Sequence, residues 1–274
     1  MSLTMTTPAI PESRQPVLAG GVANHIAGIL RRRGLDPSKA AFTEDRPDDT
    51  DEYQREVNQQ AWVNSLRLSG HGDYARYSVD LLDASQYPDA IRAFVEGIAE
   101  ARKLNREQLK LPEEERTTFR PNIQHLVAFG SVGSGKTVAA AAAGALAVEM
   151  GVMARFVSHS AYLHWLRPNS APSGLTPTTI VERYERCELL ILDDLCNEMD
   201  EYATNHVRTL TTNLVTARAN SGRSTLFTTN LDSEQVATVL GDRLASRIGK
   251  QAEVLEMVGN DRRKPKTWGI RRTF

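Results

Sequence analysis

Cysteine is scarce in this chain of 274 residues, which carries only Cys187 and Cys196. Two thiols cannot build a disulfide framework, and no group of Cys and His residues has the spacing of a zinc site. Reduced thiols of this kind are typical of the cytoplasm. The cysteine content therefore predicts a cytoplasmic protein that is stabilised neither by disulfides nor by structural zinc.

Long hydrophobic runs are also missing. The longest apolar stretch, from Val138 to Val148, is mostly alanine and is shorter than the roughly 20 apolar residues that cross a bilayer. The first 16 residues have neither the basic start nor the apolar core of a signal peptide. We therefore expect neither export nor a membrane partner.

Neither sign of charge is in large excess. The 33 Lys and Arg residues face 34 Asp and Glu residues, so that the formal net charge is -1. Bulk electrostatics would not hold such a chain on nucleic acid. Any contact with DNA must therefore come from a local basic patch.

Composition and hydrophobic pattern divide the chain into three parts. Residues 1–16 are rich in Thr, Pro and Ser and predict a flexible tail. Residues 17–70 predict a small helical module, and residues 71–274 predict a larger α/β domain that ends in a basic tail.

The second helix of the small module is predicted from about Glu52 to Leu68, with a stop at Gly70-His71-Gly72. Its predicted apolar stripe consists of Tyr53, Val57, Ala61 and Leu68, with Trp62 and Leu66 beside it.

In the larger domain, Tyr74–Leu82 is predicted as a strand or extended segment and Pro88–Leu104 as a helix. From His125–Phe129 onward, short apolar strands alternate with helices, the last of them predicted over Ser233–Ile248. This alternation predicts an α/β fold with a parallel sheet covered by helices on both faces.

A phosphate-binding loop follows the first of these strands. The stretch GSVGSGKT fits G-x-x-x-x-G-K-[ST] and lies between an apolar strand and a helix, as the motif requires. Its glycines let backbone N–H groups surround a phosphate chain, Lys136 can reach the β- and γ-phosphates, and Thr137 can offer its hydroxyl to Mg²⁺. The predicted nucleotide-binding residues are Gly130, Ser131, Val132, Gly133, Ser134, Gly135, Lys136 and Thr137.

Two carboxylates follow the apolar strand LLIL, at the edge where open α/β sheets bind ligands. Asp193 is predicted to hold Mg²⁺ through water, and Asp194 to orient or deprotonate the attacking water. Alone, such a pair could instead open a loop or cap a helix, but the upstream phosphate-binding loop favours a Walker B motif.

Three further polar groups occur later in the chain. Asn230 follows the strand STLFTT and could position the lytic water, or it could cap the next helix. Arg243 and Arg247 lie four residues apart on one helix face, which could equally be a solvated surface.

These motifs together resemble the DnaC/IstB-like helicase-loader branch of the AAA+ ATPases. The matching pieces are GSVGSGKT, LLILDDL, STLFTTNL, GDRLASRIG and VGNDRR, over roughly residues 72–274. The resemblance implies an AAA+ P-loop NTPase core, with Asn230 as sensor 1, Arg247 as an arginine finger for a neighbouring subunit and Arg243 as its auxiliary. Arg263 matches the sensor 2 arginine best, with Arg262 as the alternative.

The resemblance also implies an activity and partners. We expect hydrolysis of ATP with Mg²⁺, self-association with ATP, and loading of a replicative ring helicase, held by the N-terminal module, onto single-stranded DNA. An IstB-like transposition helper, a P-loop small-molecule kinase and a non-enzymatic nucleotide-gated adaptor are the alternatives. The C-terminal cations, with Trp268 and Phe274 among them, could bind DNA or merely solubilise the tail.

Overall fold

The computed structural model describes residues 51–196, residues 204–259 and Arg262. Contacts between residues divide the chain after Asp49, and every described residue belongs to the unit Thr50–Phe274. The predicted tail, the first predicted helix and most of the basic C-terminal stretch lie outside the described residues. None of the described helices is long and apolar enough to span a membrane.

The described residues form eight α-helices and five strands. The helices are α1 (Asp51–Leu68), α2 (Pro88–Gln108), α3 (Lys136–Glu149), α4 (His159–Trp165), α5 (Pro177–Arg186), α6 (Asn205–Asn220), α7 (Ser233–Leu240) and α8 (Asp242–Gly249). The strands are β1 (His125–Phe129), β2 (Ala154–Ser158), β3 (Leu189–Asp193), β4 (Ser224–Thr229) and β5 (Ala252–Glu256).

The five strands pair in parallel in the order β2-β3-β4-β1-β5. All five residues of β3 are buried, as expected for a central strand that is covered on both faces. Leu189 and Ile191 belong to the core beneath α1, α2 and α3, whereas Leu190 and Leu192 belong to the core on the opposite face. The predicted parallel sheet with helices on both faces is therefore confirmed.

Helix α1 has the predicted extent, but it buries a different face from the predicted one. Tyr53, Val57 and Leu68 are exposed, whereas Trp62 is 3% and Leu66 0% exposed. The buried face also carries polar residues, so the spacing of the apolar residues in the sequence does not identify it.

One of these polar residues, Ser65, covers an edge of the sheet. Its hydroxyl donates to the Trp62 carbonyl at 2.7 Å and accepts the backbone N–H of Phe156, on edge strand β2, at 2.9 Å. A helix therefore satisfies a backbone donor that an open edge would leave unpaired.

The packing of α1 moves the division of the chain from about residue 70 to residue 50. The Trp62 indole lies so close to α3 that a Cβ on Gly144 would come within 2.1 Å of it. Since α1 contributes to the same core as the sheet, it belongs to the same compact unit as the sheet.

Two other segments differ from the sequence-based expectations. The segment predicted as extended, Tyr74–Leu82, lies among three short 3₁₀ turns, Gly72–Arg76, Val79–Leu81 and Ala84–Gln86, which local i→i+3 hydrogen bonds close. The helix predicted over Ser233–Ile248 is two helices, because Gly241 has a φ of +92° and interrupts the helical backbone between α7 and α8.

Candidate nucleotide-binding site

The carboxyl ends of β1, β3 and β4 open onto a cleft of about 970 Å³. Most of the residues that the sequence predicts for nucleotide chemistry line this one cleft. They are Val132, Gly133, Gly135, Lys136, Thr137, Asp193, Asp194, Asn230 and Arg262.

The phosphate-binding loop requires its glycines. Gly130, Gly133 and Gly135 have φ values of +138°, +83° and +97°. A Cβ on Gly130 would lie 2.2 Å from the Met257 carbonyl oxygen, and one on Gly135 would lie 2.7 Å from the side-chain nitrogen of Gln86. Larger residues would therefore displace the backbone that forms the loop.

The start of α3 offers donors to an anion. Helix α3 begins at Lys136, and no side chain caps its first turn, so its N-terminal amides face the cleft with the positive end of the helix dipole. The Lys136 ammonium group donates to the carbonyls of Gly130 at 2.9 Å and Ser131 at 2.8 Å. These contacts hold the buried cation against the loop, where it can reach a bound phosphate chain.

Asp193 lies at the end of β3 and is 3% exposed. Burial raises the pKa of its carboxyl group, and hydrogen bonds to the carboxylate oppose that rise. Thr228 donates to Oδ1 at 2.6 Å and Thr137 donates to Oδ2 at 3.4 Å. The carboxylate is therefore held between the phosphate-binding loop and β4.

Thr228 also holds the second acid, although the sequence did not single it out. The backbone N–H of Asp194 donates to the Thr228 hydroxyl at 2.8 Å, and the N–H of Leu195 donates to the Thr228 carbonyl at 2.8 Å. Asp194 has a φ of +55°, an uncommon conformation for a residue other than glycine. One threonine thus fixes both acids relative to the neighbouring strand.

Asn230 lines the cleft at the end of β4. The alternative role considered for it, capping the next helix, is wrong, because Asp232 caps α7 by accepting the backbone N–H of Gln235 at 2.9 Å. Asn230 is therefore available to a ligand in the cleft.

The predicted arginines fall into two groups. Arg243 is exposed on α8, Arg247 donates to the Thr216 hydroxyl on α6, and neither lines the cleft of its own chain. Arg263 lies outside the described residues.

Arg262, the alternative for sensor 2, does line the cleft. Its backbone N–H donates to the Gly133 carbonyl at 3.1 Å, and its guanidinium donates to Asp83 and to the Gln86 side chain at 3.1 Å. This guanidinium holds the pKa of the Asp83 carboxyl well below its usual value. Arg262 is thus fixed above the phosphate-binding loop.

Sequence reasoning missed the segment between α1 and α2, which forms a wall of the cleft. Its contributions are Ser69, His71, Tyr74, Tyr77, Leu81 and Gln86. Gln86 is 4% exposed and donates to the Gly135 carbonyl at 3.1 Å. Nothing in the residue spacing connects these side chains with the phosphate-binding loop, which lies much further along the chain.

A family model described as IstB-like ATP binding protein matches residues 79–268. The chain belongs to this family. The predicted DnaC/IstB-like assignment is therefore confirmed, and the description of the family supports ATP binding by this chain.

Two solved structures show the same AAA+ P-loop fold as this IstB-like protein. The crystal structure of the DnaC helicase loader is 24% identical, covers 68% of this chain and 99% of its own, and has a TM-score of 0.52. The crystal structure of DnaI is 22% identical, covers 70% of this chain and 93% of its own, and has a TM-score of 0.50. No curated protein matches the sequence.

The cleft of this IstB-like protein also fits a divalent cation beside the nucleotide. Thr137 and Asp193 bring a hydroxyl and a carboxylate oxygen within 3.4 Å of each other at the start of α3. Mg²⁺ prefers such hard oxygen ligands together with phosphate oxygens. Thr137 and Asp193 are thus the residues that would hold it.

Proposed function

We propose that this protein is a helicase loader that hydrolyses ATP to ADP and phosphate and places a replicative ring helicase on single-stranded DNA. The observation that carries the proposal is the convergence of Lys136, Thr137, Asp193, Asp194 and Asn230 on one cleft. That cleft lies in an ATP-binding fold that is similar to the DnaC helicase loader over nearly the whole of that protein.

The hydrolytic step would use these side chains in distinct roles. Bound Mg²⁺ would neutralise charge on the β- and γ-phosphates. Lys136 would contact the same phosphates, Asp194 would orient or deprotonate the attacking water, and Asn230 would help position it. Thr228 would keep the two acids in place through its hydrogen bonds to Asp193 and Asp194.

Arg247 supports a site that is completed by a second subunit. The family resemblance implies that Arg247 is an arginine finger, and since Arg247 does not line the cleft of its own chain, it would neutralise the γ-phosphate charge of a neighbour. Hydrolysis would then be slow until subunits assemble, and ATP would favour that assembly.

The transposition helper is the second candidate, because the matching family model is that of an IstB-like ATP binding protein. Both candidates use the same ATPase chemistry, so the nucleotide site does not separate them. The partner separates them: a loader changes its ATPase rate with a ring helicase, and a helper does so with a transposase and target DNA.

The test is phosphate release by the full chain alone, with single-stranded DNA, and with DNA plus a ring helicase. We expect stimulation by the helicase and loss of hydrolysis in Asp194→Asn. The matched control is Asp89→Asn, on exposed Asp89 in the first turn of α2. Stimulation by a transposase and not by the helicase would overturn loading in favour of the second candidate, and phosphate transfer to a nucleoside would overturn both.

A further inference from the structure

Two parts of the described chain support the phosphate-binding loop. The first is the short turn Ala84–Gln86 before α2, where the buried Gln86 side chain donates to the Gly135 carbonyl at 3.1 Å. The second is the chain after β5, where the Arg262 N–H donates to the Gly133 carbonyl at 3.1 Å. Because glycine is the residue with the most conformational freedom to lose, a glycine-rich loop depends on such contacts for its shape.

One ion pair joins these two parts. The Arg262 guanidinium binds the Asp83 carboxylate through both terminal nitrogens, with Nη2 2.9 Å from Oδ1. The same two nitrogens donate to the Gln86 side-chain oxygen at 3.1 Å and to the Ser85 hydroxyl at 2.6 Å. Asp83 also caps the turn, because its Oδ1 accepts the Ser85 N–H at 3.0 Å. A bidentate pair of this kind fixes the orientation of both side chains as well as their distance.

These contacts occupy the end of the guanidinium. Each terminal nitrogen carries two N–H groups, and the four contacts to Asp83, Ser85 and Gln86 use all of them. A guanidinium that recognises the γ-phosphate would offer these N–H groups to phosphate oxygens. In the described structure, Arg262 therefore builds the wall of the cleft and is not poised to bind the γ-phosphate.

We propose that Asp83 is a positioning residue for nucleotide binding: through Arg262 it ties the turn before α2 to the chain after β5, supports the phosphate-binding loop and slows nucleotide release. This inference rests on the proposed ATPase function. Because the loop surrounds phosphates that ADP and ATP share, loss of the ion pair should speed the release of both nucleotides equally. A γ-phosphate sensor would act on ATP alone.

The stability of the fold should depend little on the same ion pair. The side chains of Arg262 and Asp83 are 37% and 53% exposed, and ion pairs with this exposure contribute little to the free energy of unfolding. Nucleotide release and unfolding should therefore respond differently to its loss, and this difference separates a positioning role from a merely structural one.

The test measures the dissociation rates of fluorescent ADP and of a fluorescent, non-hydrolysable ATP analogue from the full chain with Mg²⁺. The variants are Asp83→Asn, Arg262→Gln and their combination. The matched control is Asp80→Asn, because Asp80 forms an exposed ion pair with Arg92 at 2.7 Å in the same segment, and neither residue lines the described cleft. Urea unfolding of each variant accompanies the kinetics.

We expect Asp83→Asn to raise both dissociation rates about fivefold, and Asp80→Asn to change them less than about twofold. In the Arg262→Gln background, Asp83→Asn should have little further effect, because both substitutions remove the same ion pair. The midpoint of urea unfolding should shift little in any of these variants.

Three outcomes would overturn the inference by itself. One is unchanged release of ADP from Asp83→Asn. Another is an effect of Asp83→Asn that persists in full beside Arg262→Gln, since it would then come from the cap of Ser85. The third is faster release of the ATP analogue alone, which would make Arg262 a γ-phosphate sensor.

A failure of the proposed ATPase function looks different, because the wild-type chain would then bind neither nucleotide. If Asp83→Asn does not fold, Arg262→Gln alone decides the inference. It should speed the release of both nucleotides about equally, and unchanged release or an effect on the ATP analogue alone would overturn the role of the ion pair.

Discussion

Thr228 offers the sharpest test of how the two acids are held. Replacing it with valine keeps the shape of the side chain but removes the hydroxyl that donates to Asp193 at 2.6 Å and accepts from the Asp194 N–H at 2.8 Å. A hydrogen bond to a charged group contributes about 2 kcal/mol, and an orphaned buried amide costs about 1 kcal/mol or more. We expect Thr228→Val to lower the free energy of unfolding by about 3 kcal/mol.

The effect on catalysis follows from the same two bonds. If Asp193 and Asp194 lose their common anchor, about 1.4 to 2 kcal/mol of transition-state stabilisation should disappear, which lowers kcat about 10- to 30-fold. Thr228→Ser, which keeps the hydroxyl, should recover most of the rate. The assays are urea unfolding and phosphate release under the same buffer conditions.

The neighbouring residue supplies the matched control. Thr229 is equally buried on β4, and its hydroxyl donates to the Leu195 carbonyl at 2.8 Å and accepts from the Leu231 N–H at 3.1 Å, but it touches neither carboxylate. Thr229→Val should cost about 2 kcal/mol of stability and reduce kcat by less than about threefold. Equal losses of kcat in the two valine variants would refute a specific role for Thr228.

Three further predictions concern nucleotide binding, assembly and acid stability. Lys136→Ala should weaken ATP binding, measured by calorimetry, and unchanged affinity would contradict the role of the phosphate-binding loop. Arg247→Ala should bind ATP yet not hydrolyse it, and mixing it with Asp194→Asn should restore some phosphate release if the arginine acts across subunits. Burial lowers the pKa of His125 and of His159 to about 4 from 6.5, so the unfolded chain binds more protons in acid. Stability should be complete above about pH 6.5 and fall towards pH 4, with each histidine costing about 2 kcal/mol by pH 5 in urea unfolding, and a flat profile would refute this.

The sequence predicted those parts of the fold and site whose signal is contained in neighbouring residues. The run of consecutive apolar residues in β3 predicted a buried central strand, because a strand that is covered on both faces does not alternate apolar with polar residues. The phosphate-binding loop from Gly130 to Thr137 was predictable because its glycines, lysine and threonine form one contiguous sequence motif. The adjacent acids Asp193 and Asp194 were found for the same reason.

The buried face of α1 was not predictable, because two different environments share it. Trp62 and Leu66 enter the core, while Ser65 covers the edge of β2 through the Phe156 N–H. Polar residues are thus buried on the inner face, and apolar residues such as Val57 are exposed on the outer one. Hydrophobic periodicity cannot identify the buried face of a helix when some of the residues buried on it are polar.

The packing of α1 against the sheet also positions the wall of the cleft. The sequence alone therefore did not identify His71 as a residue of that wall. The glycine-rich stop at Gly70 predicts where α1 ends along the chain, but not where in space. Because Ser65 pairs with edge strand β2 one turn before that end, the helix finishes beside the carboxyl edge of the sheet, where Asp193 lies. The local capping motif therefore places His71 beside Asp193 only because Ser65 packs α1 against β2 in the folded chain.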